Sequence, residues 1–252
     1  MGGAIMVYDS KMVWTSITFS PPITGLWGWF KHNEGAGAII IDYSPIAVNG
    51  TLNGSAAIFW SVAGFGHNAP GGTNSYVSRA TTATSSKYNS MCGFIKPLGA
   101  TTEPWDLASA AQWNGEGGAT TNFLKYGWEI AAPNRWAITS GNAPSVYYAL
   151  TSPTFNTWYF ILARSGYSGV NAFTQLYVRA SGGSLTQVIN QANANAYTSN
   201  QTSIFSFDAN SNPYNMNGGD MMYWMGSDAA SFISVAEANY IYNNLKSRYG
   251  MS

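Results

Sequence analysis

Between Phe30 and Leu52 the chain reads FKHNEGAGAIIIDYSPIAVNGTL, which brings His32, Glu34 and Asp42 close together. These residue types can serve as general acids and bases. The same types also do turn chemistry, because a carboxylate in a glycine-rich turn accepts backbone N–H bonds and an Asp-x-Ser step closes an Asx turn. Gly35 and Gly37 flank the glutamate's turn, and Asp42-Tyr43-Ser44 closes an apolar run. The reading is therefore structural for both Glu34 and Asp42. A glycoside hydrolase needs two carboxylates projecting into one cleft, which on a strand means alternating positions. Of the 11 acidic residues, no two lie two or four apart. Glu103 and Asp106 are a loop pair beside Pro104. His32 and His67 lack the further ligands a zinc site needs, and both are expected on loops or at the surface. With no Gly-x-Ser-x-Gly elbow and no phosphate-cradling loop, the expectation is that the chain is not an enzyme.

The elements that would position these residues are short. Apolar or aromatic runs such as GLWGWF, AIIIDY, YNSMCGFI, RWAIT, WYFILAR, TQLYVRA and MMYWMG alternate with clusters of Gly, Pro, Asn and Ser. That is the pattern of an all-β chain. Asn53-Gly54 suits a tight hairpin, and Gly71-Gly72, Asn134 and Gly182-Gly183 mark further connections. Trp27 and Trp29, two apart, are expected on one sheet face, with Leu26 and Gly28 on the other. One helix stands out, in SVAEANYIYNNLKSRYG. Ser234 and Glu237 form a capping box there. Val235, Ala238, Ile241, Tyr242, Leu245 and Tyr249 share one face, Lys246 and Arg248 fall in the last turn, and Gly250 ends the run. Residues 1–23, which end at the Pro21-Pro22 break, read as an arm that docks on another surface, with the domain proper spanning 24–252.

Composition narrows the function. Charged residues are 9% of the 252, against about a quarter in a typical soluble domain, and aromatics reach 15%. Lys and Arg total 11 and balance the 11 acidic residues without clustering, so no nucleic-acid footprint is present. The lone Cys92 cannot form an internal disulfide and reads as a small buried hydrophobe. The N-terminus has no basic n-region, and Asp9 and Lys11 interrupt its apolar run, so neither a signal peptide nor membrane insertion is expected.

Several blocks resemble a known pattern. Gly25-Leu26, Trp29-Phe30, Glu34-Gly35-Ala36-Gly37, Asp42-Tyr43-Ser44 and Asn49-Gly50-Thr51-Leu52 are similar, in that order, to the laminin G-like, concanavalin A-like lectin domains of phage and environmental bacterial surface proteins. The YNSMCGFIKP run, Trp158-Tyr159, Gln175-Leu176-Tyr177-Val178 and the closing GGDMMYWMG with its helix continue the likeness to about residue 249. Gln175-Leu176-Tyr177-Val178 lacks the Asp-Gly that follows in the family. The resemblance implies a concanavalin A-like jelly-roll β-sandwich of two antiparallel sheets with one short C-terminal helix. By resemblance to members that bind calcium, Asp42, Asn49 and Asp220 are the candidate ligands for that cation, although no cofactor is required.

Two functional expectations follow. In one, the chain is a non-enzymatic bacteriophage virion protein, a capsid decoration, spike or tail-surface module made in the host cytoplasm. It would dock to other virion proteins through residues 1–23 and assemble as a homo-oligomer, with a trimer expected. In the other it is a stand-alone carbohydrate-binding lectin or adhesion module. In either, a surface glycan would stack on exposed tryptophans, for which Trp105, Trp113, Trp128 and Trp136 are the candidates.

Overall fold

The computed structural model describes residues 19–53, 67–69, 76–79, 88–99, 108–115, 124–129, 134–140, 146–168, 171–193, 203–207 and 216–252. The strands run β1 (Leu26–Phe30), β2 (Ile39–Ile40), β3 (Gly50–Asn53), β4 (His67–Ala69), β5 (Tyr76–Arg79), β6 (Tyr88–Pro97), β7 (Ala108–Gly115) and β8 (Leu124–Glu129). They continue with β9 (Arg135–Ser140), β10 (Val146–Tyr148), β11 (Tyr159–Ser168), β12 (Asn171–Ala180), β13 (Thr186–Asn193), β14 (Ser203–Phe207) and β15 (Met216–Gly226). Helix α1 (Val235–Leu245) follows, extended by a 3-10 turn at Lys246–Tyr249.

All pairings among these strands are antiparallel, in two sheets. The first runs β1-β15-β6-β11-β12-β13, with β4 also on β15, and the second runs β10-β9-β8-β7-β14-β5-β3-β2. The fold class expected from the sequence is thus the one observed. An isolated bridge between Phe30 and Asp42 ties the β1 edge of the first sheet to the chain leaving β2 in the second.

The first sheet is apolar on both faces, which explains why its strands read as unbroken hydrophobic runs. Met91, Ile95, Ile161, Ala163, Met221 and Tyr223 point into a core shared with Ile40, Leu52, Trp136 and Ile138 of the second sheet. Their alternating neighbours Cys92, Phe94, Phe160, Leu162, Met222 and Trp224 point the other way, under Ala238, Ile241, Tyr242 and Leu245 of α1. Burial of a residue of this size contributes about 1.5 to 3 kcal/mol, so α1 is held by packing more than by its own propensity. Its start is as expected: Ser234 Oγ accepts from the Glu237 N–H at 3.1 Å, and Glu237 Oε2 accepts from the Ser234 N–H at 2.7 Å. Gly250 ends the 3-10 turn in the left-handed conformation, φ 63°.

Two expectations need correction. Trp27 and Trp29 do not share a face: a register shift between Leu26 and Gly28 turns the strand over, so Leu26 and Trp29 lie on the α1 side while Trp27 packs toward the inter-sheet core. His32 lies in the loop after β1, as expected, but is buried there rather than at the surface, being 1% exposed. From the segment read as an arm, Phe19 packs edge-on against Trp29 with ring centroids 5.5 Å apart, and the Pro22 carbonyl accepts from the Trp224 indole at 2.9 Å. Residues 19–22 thus contact the domain itself, and 1–18 lie outside the described residues. Cys92 is fully buried, as expected. No helix among the described residues is long and apolar enough to cross a membrane.

Candidate functional site

The motif around Glu34 and Asp42 is a folded turn. Glu34 Oε1 accepts the Ile41 N–H at 2.9 Å. Asp42 Oδ1 accepts the Ser44 N–H at 2.8 Å and the Trp29 N–H at 2.9 Å, while its Oδ2 takes the Ser44 hydroxyl at 2.8 Å and the Val48 N–H at 3.1 Å. Both carboxylates therefore do the backbone work read from the sequence.

Of the three residues named for calcium, two meet. Asn49 Oδ1 accepts the Asp42 N–H at 3.1 Å, so its amide oxygen is turned onto the same loop. Asp220 is elsewhere engaged: Arg248 reaches its Oδ2 at 3.0 Å, the Trp29 indole donates to Oδ1 at 2.9 Å, and the Tyr249 hydroxyl donates to Oδ2 at 2.6 Å. Trp29 spans the two sites, its backbone on Asp42 and its ring on Asp220. Burial pushes the Asp220 carboxyl up, against the pull of Arg248, Tyr249 and Trp29. A carboxylate saturated by a guanidinium, an indole and a phenol is a lock between β15 and the last turn of the chain. Gly219 makes room for it, since a Cβ there would overlap the Tyr249 ring.

The four tryptophans named as sugar platforms fare differently. Trp136 is 2% exposed and meets Tyr159 edge-on at 5.0 Å, so it offers no free face; its place on a core strand, opposite Trp128, puts it inside the sandwich. Trp113 and Trp128 lie in β7 and β8, where the backbone path alone is described, and Trp105 lies outside the described residues.

A surface not singled out from the sequence combines the chemistry a sugar needs. Along β12, Phe173, Gln175, Tyr177 and Arg179 share the α1 side of the first sheet by period two. At one end of this row α1 closes over it: Arg179 donates to Asn239 Oδ1 at 2.8 Å and lies 3.7 Å from the Tyr242 ring centroid. At the other end Phe173 and Gln175 stay half-buried and Asn190 of β13 is exposed. There Phe173 and Tyr88 both meet Phe232 edge-on, at 5.6 and 5.9 Å. Gly166, opposite Phe173 in register, makes room for the Tyr88 ring, because a Cβ there would come 2.7 Å from it. Beside the rings runs a polar chain. Gln175 Nε2 donates to Asn190 Oδ1 at 3.2 Å, the Tyr177 hydroxyl donates to Gln175 Oε1 at 3.3 Å, and the Arg164 guanidinium lies 6.0 Å from the Tyr177 ring centroid. The Arg164 guanidinium sits 4.1 Å from the Phe232 ring centroid. Burial pushes its pKa down, an effect that Tyr177 partly offsets.

Ring faces beside planar amide and guanidinium groups match a pyranose, which has an apolar C–H face and a rim of hydroxyls. The available signal in the sequence was the alternation Phe173-x-Gln175-x-Tyr177-x-Arg179, which sets polar and aromatic groups on one face of a strand whose other face is apolar.

No family model matches the chain, and no curated protein matches it in sequence. Solved structures do. A Trypanosoma rangeli sialidase matches with TM-score 0.56 and 12% identity over 91% of this chain and 34% of its own, and the same enzyme in complex with sialic acid gives 0.55. The likeness shows the jelly-roll β-sandwich fold. A heptameric SAP-like pentraxin from Limulus polyphemus matches more loosely, with TM-score 0.48 and 10% identity over 69% of this chain and 79% of its own. The chain spans about a third of the length of the sialidases it matches. The expectation that the jelly roll is not an enzyme is corrected by this likeness, since an enzyme shares the fold. At 12% identity the likeness shows the fold alone and carries no activity to this chain.

Proposed function

We propose that this chain is a glycan-recognition jelly roll and that its ligand lies on the outer face of β11, β12 and β13. The observation that supports this most is the pairing of three half-buried rings, Tyr88, Phe173 and Phe232, with the hydrogen-bonded groups Tyr177, Gln175 and Asn190 and with Arg164, whose guanidinium packs on Phe232. Binding sites for small ligands take this form, a largely apolar surface with a few oriented polar groups. Sialic acid is the ligand named for one of the sialidase structures, which favours a saccharide here without specifying which. The narrower expectation of a bacteriophage virion component remains a proposal, supported by the neutral, low-charge polar composition, and mass spectrometry of purified particles tests it.

A glycan array probed with the full chain tests the reading. Binding to a restricted set of saccharides is expected, and Gln175→Ala combined with Asn190→Ala should weaken it at least fivefold while leaving the melting temperature within a few degrees. Absence of binding to any saccharide, or binding indifferent to the double substitution, would sink the proposal.

A further inference from the structure

Resting on that reading, we infer that the saccharide is acidic and that its carboxylate is held by Arg164. Most cations near this face already have partners. Arg248 is paired with Asp220, and Arg179 is committed to Asn239 and the Tyr242 ring beneath α1. Lys246 lies farther along the helix, 5.7 Å from the Tyr242 ring centroid. Arg164 is different. It is half-buried, its guanidinium packs on Phe232, and its polar neighbours Tyr177, Gln175 and Asn190 are all neutral.

Among the described residues no carboxylate bonds to Arg164. Glu237 acts on it only as a weak electrostatic influence, and that side chain is held in the capping box at 2.7 Å from the Ser234 N–H. A guanidinium drawn out of water loses hydration that ring faces replace only in part. The fitting complement is planar, anionic and able to take two parallel N–H bonds, as a carboxylate does. In a chain with only 11 basic residues, a half-buried arginine among neutral groups is poorly explained by solubility. The rest of the surface then has matching tasks: Phe173 and Phe232 carry the ring's C–H face, and Gln175 and Asn190 read hydroxyls beside the acid.

The test is isothermal titration of the full chain with two matched pairs: trigalacturonate against its methyl ester, and sialyllactose against lactose. A sulfated lactose serves as a further anionic probe. At least one carboxylated member should bind tenfold or more tighter than its uncharged counterpart. Arg164→Gln should bring that ratio to within twofold, and Arg164→Lys, which keeps the charge but not the fork, should restore only part of it. Gln175→Glu, which sets a carboxylate beside Arg164, should also lower the ratio and keeps the test open if Arg164→Gln fails to fold. A ratio near one in the unaltered chain, a ratio unmoved by these substitutions, or a preference for the sulfated probe over both acids would overturn the inference while leaving saccharide binding intact. If no probe binds, charged or neutral, the glycan reading itself has failed.

Discussion

His32 carries the sharpest expectation at the level of a single residue. Its backbone is left-handed, φ 50°, and its fully buried ring donates from Nδ1 to the Gly219 carbonyl at 2.7 Å. Burial lowers its pKa from 6.5 to about 4, although the bond to Gly219 works the other way. In the unfolded chain the ring takes up a proton near pH 6.5, and in the folded chain only near pH 4, so the unfolded state binds more protons between those values. Stability must therefore fall as the pH drops from about 6.5 toward 4, by roughly 3 kcal/mol in all. His32→Asn keeps a side-chain N–H donor and tolerates the left-handed backbone. Melting curves from pH 7.5 to 4.5 should show a slope in the unaltered chain that is reduced in this variant. Equal slopes would mean that other groups set the acid limit.

At the scale of elements, α1 is fastened at both ends: by the capping box at Ser234 and by the Tyr249–Asp220–Arg248 lock beyond its last turn. Ser234→Ala removes one acceptor for an orphan helix N–H and should cost about 1 kcal/mol, read as a lower urea midpoint with an unchanged slope. A loss near zero would show that packing of Ile241, Tyr242 and Leu245 on the sheet suffices. This cap was legible in the sequence, as were the helix face, the Asp42 turn and the backbone role of Glu34, because each depends on neighbours a few residues away. What was not legible depends on contacts distant in sequence. The register shift that turns Trp27 away from Trp29 is set by pairing with β15, almost two hundred residues on. The burial of His32 is set by Gly219, and that of Trp136 by Tyr159. The face carrying Phe173, Gln175 and Tyr177 could be named a surface only once α1 was seen to cover the Arg179 end of the row and not the whole of it.

For the whole molecule, the arrangement divides labour between the faces of one sheet. Its inner face joins the second sheet across an apolar core, and its outer face is shared between α1 and the ring-and-amide surface at the ends of β11 and β12. Such a layout fixes the surface on rigid strands, and side chains already held by hydrogen bonds and ring contacts lose little freedom on binding a ligand. Residues 19–22 add Phe19 and Pro22 to the outer layer. A nitrogen-15 correlation spectrum of the labelled chain, titrated with a saccharide selected on the array, locates the ligand on the fold. Shifts should concentrate at Arg164, Phe173, Gln175, Tyr177, Asn190 and Phe232, whereas shifts centred on β7 and β8 around Trp113 and Trp128, with these six unmoved, would rule out a ligand on the outer face of β11, β12 and β13.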